Sequence, residues 1–138
     1  MKEVKFTVYG TPKSKARPRF VKMKNYVRTY TPKETIDYET WVRTCWMEQS
    51  AETINDDVPI SVTILFYFPI PESFSAKKKE RIDGTPHYNR IDLDNCIKSV
   101  LDGCQGYVFQ NDSRIYRIVA EKRYSSNPRT EVVFTADE

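Results

Sequence analysis

The sequence predicts an α+β fold, a single mixed β-sheet with helices packed on it, and three observations carry that prediction. Ile60, Val62, Ile64, Phe66 and Phe68 alternate with Ser61, Thr63, Leu65 and Tyr67, the period of a strand with one buried face. Val4, Phe6 and Val8 alternate in the same way with Lys5, Thr7 and Tyr9. Between these two strands lies a stretch of helical period, and a strand, a helix and a further strand pack most simply as a sheet covered by helices. At 138 residues, 39% hydrophobic and 30% charged, the chain has the length and balance for one domain, residues 1–138, with a real core.

The first strand ends at Gly10-Thr-Pro12. Lys13-Ser-Lys-Ala-Arg-Pro-Arg19 then puts four positive charges in seven residues, with a proline that discourages helix, and reads as an exposed loop. Phe20-Val21 and Tyr26 to Tyr30 pair as a hairpin around Lys22-Met-Lys-Asn25. Thr31-Pro-Lys-Glu34 has the composition of a capping box with proline at the first helical position, so a helix is expected from there to about Ala51. Its apolar stripe is Tyr38, Trp41, Val42 and Cys45 with Gln49 at the edge, while Glu34, Glu39, Arg43 and Glu48 face solvent.

After the strand that ends at Pro69, Ser75 to Arg81 reads as a short basic helix, and 83–89, with Gly84 and Pro86, as a loop. Cys96, Ile97, Val100 and Leu101 recur at helical spacing, and Gly103 supplies a stop. Tyr107-Val-Phe109 is expected to be extended and Gln110 to Ser113 to turn. Arg114–Tyr124 and Thr130–Thr135 complete the sheet on either side of a turn at Asn127-Pro128.

Charge narrows the function. The net charge is +3, yet residues 1–30 hold nine Lys or Arg against one acid, and residues 31–57 hold two against seven. A basic arm of this kind suits phosphate contacts, since each bound phosphate releases condensed counterions. The acidic excess is mostly helix surface. Cys45, Cys96 and Cys104, with no C-x-x-C pair and one histidine, make neither a disulfide framework nor a zinc site and read as reduced core residues. Neither a signal peptide nor a membrane span is evident, so a cytoplasmic protein without membrane contact is the expectation.

Chemistry concentrates in Arg90-Ile-Asp-Leu-Asp-Asn-Cys-Ile-Lys-Ser-Val-Leu-Asp-Gly103. If residues 91–94 are extended, Asp92 and Asp94 point to one side and Ile91 and Leu93 to the other. Asp94 alone also reads as the N-cap of the helix that follows, and Asp112 alone as a turn residue. Returning strands can bring Asp112 back beside the pair. Two unit charges about 4 Å apart cost roughly 4 kcal/mol at an effective dielectric near 20, so three converging acids require a cation. A hard cation such as Mg2+ suits carboxylate oxygens and leaves room for water and a phosphate oxygen. Lys98, one helical turn after Asp94, is placed to stabilise charge developing on a phosphate, and Asp102, one turn further, to hold Lys98 in position.

Asp92-Leu-Asp-Asn-Cys-Ile-Lys98, Leu101-Asp-Gly103, Tyr107 and Asn111-Asp112 resemble the D-x-D-N-x-x-K … L-D … Y-x-D-D pattern of RusA-type Holliday junction resolvases. The resemblance extends to Lys15-Ala-Arg-Pro-Arg-Phe20, Tyr30-Thr-Pro and Glu121-Lys-Arg-Tyr124, and so covers nearly the whole chain. It implies a homodimeric endonuclease that nicks four-way DNA junctions with Mg2+, for which Mn2+ can substitute. Carried over by position, Asp92, Asp94 and Asp112 match the essential, metal-holding acids and Lys98 the catalytic lysine. Asn111 stands where the first acid of the D-D pair is usual, and Arg90-Ile91 where Lys-Pro is usual. With Asp102, Asn111 is a supporting residue of the site.

Chains of this type are frequent in bacteriophages and prophages. Lys13, Lys15, Arg17, Arg19, Lys22, Lys24 and Arg28 are the expected DNA contacts, and Lys77-Lys78-Lys79 a second candidate patch. Two other classes fit parts of the pattern. One is a transferase that uses Asp92-x-Asp94 to hold a metal-diphosphate, and the other a junction-binding protein in which Asn111 marks a lost metal site.

Overall fold

The computed structural model describes residues 1–55 and 57–137. Strand β1 (Lys2–Tyr9) is followed by a ribbon of β2 (Arg19–Lys22) and β3 (Val27–Tyr30), then helix α1 (Lys33–Gln49) and strand β4 (Ile60–Pro69). Helices α2 (Ala76–Ile82) and α3 (Leu93–Cys104) lead to β5 (Ile115–Ser125) and β6 (Arg129–Ala136). The main sheet has the order β1-β6-β4-β5, with β4 and β5 parallel and the other pairs antiparallel. The expected mixed sheet with packed helices is what forms, and β2 and β3 make a separate two-stranded sheet.

Alternation fixes which face of the sheet is covered. Val4, Phe6 and Val8 of β1, Val132 and Phe134 of β6 and the five apolar positions from Ile60 to Phe68 of β4 are all buried in one core. Helices α1 and α3 close that core with Tyr38, Val42, Cys45, Trp46, Cys96 and Val100. The three cysteines are free thiols, all buried, as their spacing predicts. Among the described residues no helix is long and apolar enough to cross a membrane.

Along α1, local chemistry departs from expectation. The capping box at Thr31 does not close: Pro32 takes the N-cap position without a side-chain cap, and Glu34 turns to Arg19, 3.0 Å away. Trp46 rather than Trp41 completes the buried stripe of α1. Trp41 stays partly exposed and donates its indole N–H to the Tyr9 carbonyl at 2.7 Å. Gln49, exposed, accepts from the Thr7 N–H at 2.8 Å and donates to the Thr7 carbonyl at 2.6 Å, so it occupies backbone groups on the open edge of β1.

Gly103 does not stop α3. It lies inside the helix at its crossing with α1, where an added Cβ would stand 3.1 Å from the Glu39 carbonyl oxygen and 3.2 Å from the Val42 Cβ. The absent side chain is what lets the two helices approach. Tyr107 and Val108 lie in a turn rather than an extended run, and Phe109 makes β-bridges with Ile54 and Gln105; Val108 and Phe109 are buried, and Tyr107 lies under the Arg43 guanidinium at 4.4 Å. The turn is led by Gly106, whose φ of 84° suits glycine.

Candidate active site

The acidic pair sits at the start of α3. Asp92 is the N-cap residue, extended at φ −73° and ψ 127°, and its side chain makes no capping bond. Asp94 already lies in the first helical turn, so the cap reading belongs to Asp92 and the two acids do not line one side of a strand. Both are exposed, at the helix end whose free N–H groups favour negative charge. Arg90, two residues before the pair, holds a left-handed φ of 38° that costs a residue with a side chain of order 1–3 kcal/mol. Strain at this point re-aims the chain into the helix.

Lys122, which reading the sequence did not single out, supports this corner from β5. Its ammonium donates to the Ile91 carbonyl at 2.5 Å, fixing the residue that precedes Asp92. The Cys96 thiol beneath is pushed up to about 11, first by burial, with Asp92 and Asp94 adding to the rise and Lys122 opposing it. Cys96 is therefore a neutral core thiol. The sequence signal for Lys122 was its place in the Glu121-Lys-Arg-Tyr124 stretch, where neither period nor charge set it apart.

Lys98 is exposed on the helix face of Asp94, as its spacing predicts. Asp102 does not hold it. The Asp102 carboxylate takes the Lys15 ammonium at 2.5 Å, and Glu39, expected to face solvent, takes the same ammonium at 3.3 Å. Burial lowers the Lys15 pKa, but the two carboxylates outweigh it and the net shift is upward. Lys15 thus links the basic loop to α1 through Glu39 and to α3 through Asp102.

The same loop is tied to α3 by its backbone. The Lys15 N–H donates to the Asn95 carbonyl at 2.9 Å, and the buried Ser99 hydroxyl donates to the Lys13 carbonyl at 2.7 Å. Ser99 was likewise invisible in sequence, since a serine at a helical position carries no mark of its distant partner. These bonds lay the basic loop along the first turns of α3, beside Asp94 and Lys98. Lys13, Arg17, Lys22, Lys24 and Arg28 remain exposed, and Arg19 is exposed while paired with Glu34. In the second basic patch, Lys78 lies over the Phe74 ring at 3.8 Å.

Asp112 is elsewhere. It opens a 3-10 turn (Asp112–Arg114) that Asn111 caps by accepting the Ser113 N–H at 2.9 Å. The Asp112 N–H donates to the Gln105 side chain at 3.4 Å, at the C-terminal end of α3. The helix between Asp92 and Gln105 is about 18 Å long at 1.5 Å per residue. The expected return of Asp112 to the pair does not occur within one chain. In agreement, no three His, Cys, Asp or Glu side chains among the described residues stand close enough to hold a metal ion. Asn111 is accounted for by its cap.

A family model described as endodeoxyribonuclease RusA matches residues 9–135, a span that includes the basic loop, both ends of α3 and Asp112. The chain belongs to the RusA endodeoxyribonuclease family. It is also 31% identical over 134 residues to the uncharacterized protein YqaN of Bacillus subtilis (strain 168), with 94% of each chain covered. RusA-family nucleases depend on divalent metal, and exposed aspartate oxygens are the right donors in kind for a hard cation. In number they fall short within one copy: a RusA-family chain of this geometry offers Asp92 and Asp94 at one end of α3 and Asp112 at the other.

Proposed function

We propose that this chain is a structure-selective endodeoxyribonuclease that resolves four-way DNA junctions by paired symmetric nicks, working as a twofold homodimer with Mg2+. The observation that carries the reading is the union, on one helix, of an exposed acidic pair, the following Lys98 and a basic loop bonded along the same turns. Two nicks related by a twofold axis require two sites so related, which an isologous dimer supplies. The separation of the acids supports the same arrangement. Asp92 and Asp94 of one copy, with the partner's Asp112, would hold the cation.

The half of β5 that follows Asp112 exposes Tyr116, Ile118 and Val119 on the sheet edge. Beyond it, the segment from Gly84 to His87 covers the strand by bonds to Lys122 and Tyr124. The open half is the apolar surface that a second copy would cover.

When bound, the cation supplies a Lewis acid and lowers the pKa of a water for attack on the phosphodiester. The exposed cations of the loop, Lys13 and Arg17 among them, position the backbone without reading bases. Lys98 faces the charge that grows on the phosphate oxygens.

The test uses Asp92→Asn and Asp112→Asn. Each variant alone binds a synthetic junction and does not cut it. Mixed in equal amounts and allowed to exchange subunits, they regain about a quarter of the wild-type sites, because half the dimers then carry one complete site of two. No recovery in a mixture shown to contain heterodimers overturns the shared site. Wild-type protein that cuts linear duplex as well as the junction, or cuts neither with Mg2+, overturns the resolvase reading.

A further inference from the structure

The β2–β3 ribbon is held at its base and exposed out to its tip. Lys15 ties the entering chain to α3, and α1 begins at Lys33, immediately after the ribbon. Between these points all eight strand residues are exposed, and the turn is closed by the Met23 N–H to the Tyr26 carbonyl at 2.8 Å. A two-stranded ribbon of this length gains little stability alone in water, so its exposed side chains call for a partner. Phe20 is 72% exposed and Tyr26 62%.

The register shows which partner fits. Arg19, Val21, Arg28 and Tyr30 share one face, and Phe20, Lys22, Val27 and Thr29 the other. Each face therefore carries an aromatic ring beside a cation, and residues 19–30 contain no acid. A seam with a second copy would bring like charges together, and a protein partner would favour one apolar face over two mixed ones. Phosphates satisfy the cations, and bases satisfy the rings, because every base presents a face for stacking. Duplex arms keep their bases stacked on one another; a branch point offers bases that lack a neighbour.

Resting on the proposed junction-cutting function, we propose that this ribbon enters the branch point, where Phe20 on one face and Tyr30 on the other part the base steps and stack on the bases so freed. The ribbon would then supply preference for branched over linear DNA, while the cations of the same stretch bind both. Apolar side chains inserted at base steps unstack them in the same physical way.

The experiment measures binding of the full chain, in chelator so that nothing is cut, to a four-way junction and a linear duplex, each carrying 2-aminopurine at or opposite the branch. Wild-type protein should raise the fluorescence at the branch and not in the duplex. Phe20→Ala should remove at least half of that rise and weaken junction binding about ten-fold, with duplex binding held within two-fold. Lys22→Ala should weaken both substrates alike.

A silent 2-aminopurine under bound wild-type protein overturns the insertion and leaves the junction-cutting reading standing. Equal losses of both substrates in Phe20→Ala, or a change in its association state, also overturn it. Failure of wild-type protein to bind the junction at all overturns both.

Discussion

Replacing Lys15 with methionine keeps the stem and removes the ammonium, which tests whether this lysine clasps the loop or contacts DNA. The ammonium lies 2.5 Å from Asp102 and 3.3 Å from Glu39, and the three side chains are 24%, 27% and 14% exposed. Fully exposed pairs contribute about 0–1 kcal/mol, whereas removing one partner of a buried pair costs about 3–5 kcal/mol. This cluster lies between those limits, and two charge-assisted bonds, one of them long, put the loss near 2 kcal/mol. With a urea slope of about 1–3 kcal/mol/M for a small protein, the unfolding midpoint should fall by about 1 M.

Because the folded-state pKa of Lys15 is raised above 10.5, its stabilisation is fully present below that pH and fades as pH climbs through the folded value. The gap between wild type and variant should hold up to pH 10 and narrow above it. In DNA binding, Lys15→Met should leave the salt slope unchanged, while Arg17→Ala should lower it by about 0.9. A midpoint shift under about 0.3 M, or a slope lowered as by Arg17→Ala, would refute the clasp.

Two further predictions concern the scaffold. Gly103→Ala gains up to about 1 kcal/mol of helix propensity but drives its methyl into the Glu39 backbone and Val42, and the overpacking should win by about 1–2 kcal/mol. A scanning calorimeter should record a Tm several degrees lower, and an unchanged or higher Tm would mean that the helices can part freely. His87 is stacked on Phe68 with ring centres 4.4 Å apart, and burial, then Lys122, lowers its pKa below 6.5. The unfolded chain then binds the extra proton more readily, so His87 contributes stability above pH 6.5 that is lost as pH falls through the lower folded value. His87→Phe should flatten the fall in unfolding free energy between pH 7 and 5; an undiminished fall would assign it to other groups.

The sheet was legible because burial of one face imposes a period of two, and β1, β4 and β6 obey it almost without exception. The place of the acidic pair at the mouth of α3 was legible too, but not its arrangement, since Asp92 is the N-cap residue and Asp94 already lies in the helix. What period cannot encode is the partner of a charge. Lys15 and Asp102 are 87 positions apart, and on sequence Asp102 has Lys98 one turn away as a nearer and equally plausible mate. Asp112 misled for a related reason: its turn fixes the local conformation, while its distance from Asp92 depends on α3 lying between them. Gly103 was read as a stop because glycine ends helices more often than it eases their crossing.

The division of the acids between the two ends of α3 has a consequence for control. On the proposed reading, a newly made chain is inert until it meets another, because neither end of the helix holds enough carboxylates to do chemistry. Activity would then rise with the square of chain concentration at high dilution and in proportion to it once pairing is complete. A cell making a few such chains would run little risk to its own chromosome. The same protein made in quantity would cut, and always in pairs.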